Sequence, residues 1–276
     1  MTTPFEGLMI AGHRMASADG RTAPVYNPAD NSVLAQVAQA TATDVDAAVQ
    51  TAHTRFTTGA WHTMRSRERG QVLQRIANLI REKREMLAQI ESRNGGKPIN
   101  AARGEIGAVA NTFEYYAGAV NKFFGQTIPV NADGTSLTFR EPLGVCALIV
   151  PWNFPLIIAG WKIAPALAMG NTVVLKPASA TPLSALALAE LALEAGLPEG
   201  VLNVITGSGG VAGTALVTHP LVRKISFTGS TEVGVGVMQQ AAGGIKRVSL
   251  ELGGKSANLV FADARLEGCI ESSIFA

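Results

Sequence analysis

The chain has 276 residues, 47% of them hydrophobic and 16% charged, ample for a buried core and long enough for one large folded unit or up to two ordinary ones. Basic and acidic side chains nearly cancel, 23 against 21, with no long run of one sign, so neither nucleic acid nor an anionic membrane is expected as a partner. Two cysteines and four scattered histidines form no disulfide or metal-ligand pattern, and no secretion signal or membrane-length apolar run is present, so a cytoplasmic protein without a metal site is expected.

Residues 1 to 40 read as a β-rich entry arm punctuated at Asp19-Gly20 and Asn27-Pro28. Thr43 with Asp46 three residues on resembles a capping box, and Val45, Ala48, Val49, Ala52 and Phe56 then share a helical face. A second helix starts at Ser66 and turns Val72, Leu73, Ile76, Ile80 and Leu87 inward until Gly95-Gly96-Lys97-Pro98 stops it. A third, roughly Ala102 to Phe124, repeats the pattern. Thr127 to Val130 and Ser136 to Arg140 flank Asn131-Ala132-Asp133-Gly134, a hairpin that either packs locally or pairs with another subunit.

From Gly144 onward strands and helices alternate, which predicts an α/β fold with a doubly wound parallel sheet. The strands fall at 145–150, 172–176, 201–206, 223–227, 247–252 and 257–261. The clearest helix runs from a Thr181-Pro182 start to Ala195, closed by Gly196. Within this region Val145 to Val150, the Pro151-Trp-Asn-Phe-Pro155 turn, a helix to Met169, and the run Thr172 to Lys176 form one β-α-β unit. Ligands of open parallel sheets bind at the carboxyl ends of the strands, which puts the turn and Lys176 at a candidate small-molecule site.

Two glycine clusters compete for a phosphate. Gly207-Ser-Gly209-Gly-Val-Ala212 follows a strand with dinucleotide-fingerprint spacing, but no acidic residue ends the next strand to hold a ribose hydroxyl. Phe227-Thr-Gly229-Ser-Thr-Glu-Val-Gly234 links a strand to a helix and offers backbone N–H groups and the Ser230 hydroxyl at that helix's N-terminus; an ordinary capped helix start is the other reading. Glu251 lies in the apolar run Val248-Ser-Leu-Glu-Leu-Gly-Gly. There a carboxylate costs several kcal/mol unless partnered or retuned, so it is either a general base with a raised pKa or a structural acid paired with a lysine such as Lys162.

Pro-Trp-Asn-Phe-Pro (151–155), Trp161-Lys162, Gly170-Asn-Thr-Val-Val-Leu-Lys-Pro177, Phe-Thr-Gly-Ser-Thr-Glu-Val-Gly (227–234) and Leu-Glu-Leu-Gly-Gly-Lys-Ser (250–256) together resemble the NAD(P)-dependent aldehyde dehydrogenase superfamily, in order and over essentially the whole chain. The resemblance implies a Rossmann-like cofactor-binding core at 142–252, preceded by an N-terminal arm and helices at 1–125 and an oligomerisation hairpin at 126–141, with 253–276 opening a catalytic domain. It implies oxidation of an aldehyde to a carboxylic acid through a cysteine thiohemiacetal and thioester, NAD or NADP as cofactor, and a homo-oligomer when complete. Asn153 matches the oxyanion-hole amide, Glu251 the general base, and Phe154 and Trp161 the substrate tunnel. Lys176 matches the residue that binds the adenosine ribose, and Trp152, Gly229, Ser230, Val233, Gly234 and Leu252 match other cofactor contacts.

Two departures bear on function. Ser179 stands where NAD-preferring members often carry a glutamate that repels a 2'-phosphate, which implies that NADP is accepted alongside NAD. The family's nucleophilic cysteine falls beyond Ala276, and Cys269 is too close in sequence to Glu251 to replace it. The alternative to an oxidising enzyme is therefore a catalytically inactive, truncated dinucleotide-binding module.

Overall fold

The computed structural model describes residues 4–131 and 133–275; Ala132, in the predicted hairpin turn, lies outside them. Five short strands open the chain: β1 (Phe5–Glu6), β2 (Leu8–Ile10), β3 (His13–Met15), β4 (Thr22–Tyr26) and β5 (Val33–Ala38). Four helices follow, α1 (Ala42–Thr57), α2 (Ser66–Glu82), α3 (Arg84–Gly95) and α4 (Ile99–Ala119), then the hairpin strands β6 (Thr127–Ile128) and β7 (Ser136–Leu137). The alternating half comprises β8 (Val145–Ile149), α5 (Pro155–Ala168), β9 (Thr172–Lys176), α6 (Leu183–Glu194), β10 (Leu202–Val204), a π-helical turn Gly209–Gly213 running into α7 (Thr214–Thr218), β11 (Val222–Thr228), α8 (Thr231–Ala242), β12 (Arg247–Glu251) and α9 (Leu266–Phe275). Among the described residues no helix is long and apolar enough to cross a membrane.

The main sheet has the order β12-β11-β8-β9-β10-β2-β3. Its first five strands pair in parallel, and β2 and β3 add antiparallel at one edge. Starting at β8, the chain builds outward to β10, returns to the other side of β8, and continues through β11 to β12. The strand order therefore reverses between β8 and β11, the switch point where open α/β sheets bind ligands. Alternation along β8 explains why both faces are covered: Cys146, Leu148 and Val150 enter a core with α2 to α6, whereas Val145, Ala147 and Ile149 enter a second core with α1, α7 and α8.

Several local expectations are corrected. The capping box is Thr41 with Asp44, two residues earlier than predicted, and Asp46 instead faces His219 Nε2 at 2.9 Å. The single helix expected from Ser66 breaks at Lys83, whose φ of −91° and ψ of 18° leave the helical region. The third helix ends at Ala119, short of Phe124. Thr181 does not cap α6; Pro182 holds that position and the Thr181 hydroxyl donates to the Trp152 carbonyl at 3.4 Å. Residues 257–261 form no strand: β12 is the sheet's last member, so the extended chain after Gly253-Gly254 has no neighbouring strand to pair with among the described residues.

Candidate functional site

The turn after β8 emerges beside both β9 and β11, because β8 is hydrogen-bonded to each. Trp152, Asn153 and Phe154 are exposed in this turn, and the Asn153 amide makes no hydrogen bond among the described residues. Pro155 starts α5 at a position where its missing N–H costs nothing.

On one face of the sheet, at the carboxyl ends of β11 and β12, lies a cavity of about 540 Å³ lined by Ile158, Trp161, Lys162, Ser226, Thr228, Ser249, Glu251 and Leu252. Period-two alternation builds it: Ser226 and Thr228 of β11 and Ser249 and Glu251 of β12 point one way, whereas Phe227, Val248 and Leu250 point into or against the second core. Lys162 is buried, donates from Nζ to Ser226 Oγ at 2.7 Å, and is pushed down to about 8 by burial and by Lys224, with Glu251 pulling the other way. Glu251 itself is exposed, so the desolvation expected from its apolar flanks is absent. It makes no ion pair with Lys162 within 4.0 Å, although the two feel each other's charge. The reason is topological: Glu251 ends the sheet's edge strand and points into open cavity rather than core.

On the opposite face, a narrow cleft of about 90 Å³ is lined by Ile149, Lys176, Gly209, Gly213, Thr214, Val217, Phe227, Val233, Val237 and Gln240. Lys176 ends β9 with only 4% exposure, and burial pushes its ammonium down to about 8. It carries three donors, and among the described residues it uses one, to the Pro177 carbonyl at 3.0 Å. A buried ammonium with spare donors suits an oxygen-rich ligand such as a ribose. Ser179 lies close by in sequence and donates its hydroxyl to the Gly207 carbonyl at 2.8 Å. Ser230 caps α8, accepting from the Val233 N–H at 3.3 Å, and leaves the N–H groups of Thr231 and Glu232, which have no partner within the helix, at its positive end.

The structure thus brings Lys176 and Val233 into one cleft, with the Ser230 cap beside it. Trp161, Glu251 and Leu252 meet in the cavity on the other face. Gly229 and Gly234 have packing reasons for lacking a side chain: a Cβ would run into the Phe227 ring and into Leu252 Cδ2, respectively. Their N–H groups are also spent, on the Glu251 carbonyl and the Ser230 carbonyl. Phe154 does not line the cavity; its ring lies 4.5 Å from the Lys97 ammonium instead. Sequence reasoning missed Ser226, Thr228 and Ser249, although polar residues at every second place in apolar strands were the available signal. It also set the two glycine clusters against each other, whereas Gly209 and Gly213 line the same cleft as Val233.

Comparison with known proteins identifies relatives of the whole chain. The profile described as "Aldehyde dehydrogenase family" matches residues 15–276. Human retinal dehydrogenase 2 is 50% identical over 273 residues, covering 98% of this chain and 52% of that protein. The human mitochondrial 10-formyltetrahydrofolate dehydrogenase is 47% identical over 95% of this chain and 29% of its own length. Among solved structures, an aldehyde dehydrogenase from Bacillus cereus in complex with NAD+ superposes with a TM-score of 0.93 at 46% identity, covering 96% of this chain and 54% of that one. The chain spans about half the length of the retinal dehydrogenases it matches. The family match spans nearly the whole chain, and the chain belongs to the aldehyde dehydrogenase family.

Proposed function

We propose that this chain supplies the cofactor face and part of the substrate face of an enzyme that oxidises an aldehyde to a carboxylic acid with NAD or NADP. The observation that carries this reading is the division across β11. Phe227 looks into the cleft that holds the buried Lys176, and its neighbour Thr228 looks into the cavity that holds Glu251. One strand end thus separates a site for a polar cofactor from a site for a reacting carbonyl.

Bound NAD(P) would supply the hydride acceptor. Lys176 would donate to the adenosine ribose, with Ser179, Trp152, Gly229, Ser230, Val233, Gly234 and Leu252 around the rest of the cofactor. Asn153 would donate its amide N–H to the aldehyde oxygen as negative charge grows there, a role for which its unpartnered side chain is available. Glu251 would take the proton from the attacking thiol or from water, in the cavity it shares with Lys162. Trp161 would wall the aldehyde's apolar part, and Phe154 would border it.

In this reading neither cysteine is placed to act as the nucleophile. Cys146 is buried in β8 with its thiol pushed up to about 12, and Cys269 is on α9, outside the residues that line the cavity. The reactive thiol would therefore come from outside these 276 residues. This favours cofactor binding without turnover as the second reading for the chain by itself. Two unpaired cysteines also support a reducing compartment such as the cytoplasm.

The test is to mix the purified chain with NAD or NADP and a panel of apolar and aromatic aldehydes and to follow the absorbance of the reduced nicotinamide. Cofactor binding without turnover is expected from these residues alone. Turnover is expected from a protein that adds the thiol-bearing segment, with at least a hundredfold loss on Glu251→Ala, of the order seen when a general base is removed. Turnover by the 276-residue chain itself would contradict the placement of the thiol.

A further inference from the structure

The Trp152–Phe154 turn has little to hold it from within. Phe154 occupies the cap position of α5 and no side chain caps that helix. Its anchors come from the segment Glu91 to Lys97, which the sequence reads only as the end of a packing helix and its Gly95-Gly96-Lys97-Pro98 stop. The Lys97 ammonium lies 4.5 Å from the centre of the Phe154 ring, the arrangement in which a cation is attracted to an aromatic face. Lys97 is only 12% exposed, is ion-paired with Glu105 of α4, and lies 3.9 Å from Glu91 of α3.

Glu91 is 2% exposed and neither carboxylate oxygen has a hydrogen-bond partner. The Ser184 hydroxyl and the Leu156 backbone face it and favour its charge without reaching hydrogen-bond geometry, and burial pushes its carboxyl up. A buried carboxylate in that state is costly, and the Lys97 charge offsets the cost, which fixes the lysine in place. The other flank of the turn traces to the same segment. Asn94 donates to the Ala180 carbonyl at 2.8 Å and accepts from the Leu183 N–H at 3.4 Å. It thereby holds the loop whose Thr181 hydroxyl reaches the Trp152 carbonyl at 3.4 Å.

We infer that Lys97 is a positioning residue for the Trp152–Asn153–Phe154 turn: held by Glu105 and Glu91, its ammonium pins the Phe154 ring and so fixes where Asn153 presents its amide. The functional consequence rests on the reading of Asn153 as the donor to the aldehyde oxygen; the pinning itself does not. Lys97 touches no reacting atom, and its effect passes through Phe154.

Hydrogen exchange tests the pinning directly. The Ile158 N–H closes the first turn of α5 on the Phe154 carbonyl at 3.2 Å, whereas the Val173 N–H is bonded to Val201 in the middle of the sheet and reports global opening. In Lys97→Met, exchange at Ile158 should rise about tenfold while Val173 is unchanged, and Lys97→Arg, which keeps a cation able to stack on a ring, should restore it. Phe154→Leu leaves the buried charges paired and should give the same rise, and the double variant should go no further than either single one. Equal exchange at Ile158 in the parent and Phe154→Leu proteins, a rise in Lys97→Met that merely follows Val173, or no rescue by arginine would each overturn the inference.

In a turnover-competent protein that contains this chain, Lys97→Met should lower kcat and should add nothing to the loss caused by Asn153→Ala. If Asn153→Ala leaves kcat at the parent value, the oxyanion reading fails while the exchange result for Lys97 stands on its own.

Discussion

Lys176 is held at a cost to the fold: burial in the cleft brings its ammonium from an ordinary 10.5 to about 8. The folded value is below the unfolded one, so between about pH 8 and 10.5 the unfolded chain holds a proton that the folded chain has shed, and this group's contribution to stability rises with pH across that window. Lys176→Met is therefore expected to raise the melting temperature at pH 7 by a few degrees, roughly 2–4 °C for each kcal/mol recovered, and to flatten that pH dependence. Calorimetric scans of both proteins from pH 7 to 10 would check it, and a lower melting temperature would show that the ammonium is not penalised. Ser179 sets a second test. Ser179→Glu places a carboxylate where a 2'-phosphate would approach, so NADP affinity should fall about tenfold or more while NAD affinity stays within threefold, read by titration. If the parent binds NADP a hundredfold more weakly than NAD, about 2.7 kcal/mol, the acceptance of both cofactors fails. Lys176 and Asn153 could be located in the sequence because each ends or follows an apolar run, which fixes it at the carboxyl end of a strand. The exposure of Glu251 could not, because an apolar run does not say whether its strand lies at the centre or at the edge of a sheet.

At the level of elements, α8 is the part whose fit decides the cofactor cleft. Ser230→Ala removes its cap and should cost about 1 kcal/mol, seen as a lower urea midpoint with an unchanged slope. Gly234→Ala should cost about 1–3 kcal/mol, because the new methyl would push Leu252 away from the helix. A neutral result there would mean that β12 and α8 slide freely past one another. The parallel core was legible because five of the six predicted strands, starting at Val145, Thr172, Leu202, Val222 and Arg247 in the structure, are short apolar runs or apolar–polar alternations bounded by turn residues. The errors share a cause. The Thr41 box, the break at Lys83 and the unpaired 257–261 stretch are decided by tertiary neighbours, whereas local periodicity reads the same on either side of each boundary. Lys97 was read as part of a helix stop for the same reason: its partners Glu105, Glu91 and Phe154 come from three different elements.

At the scale of the whole molecule, large exposed apolar side chains gather at two places among others in the described residues. Phe123, Phe124, Ile128, Leu137 and Phe139 surround the two-stranded hairpin, with Phe139 79% exposed, and Leu259, Phe261, Leu266 and Ile270 follow the last strand. Apolar surface on this scale drives association, so the chain is expected to form oligomers or aggregates at micromolar concentration, and Leu137→Lys with Phe139→Lys should shift light scattering toward smaller species. A monodisperse monomer in the parent would contradict that. The central claim concerns the other end of the sheet: that β11 separates a cofactor cleft built on Lys176 from a cavity built on Glu251. It is tested most directly by calorimetric titration of the chain with NAD and NADP, for the parent, Lys176→Met and Glu251→Gln. Binding of both cofactors is predicted with dissociation constants below about 1 mM, at least tenfold weaker in Lys176→Met and unchanged in Glu251→Gln. No binding by the parent, or equal binding by Lys176→Met, would contradict it.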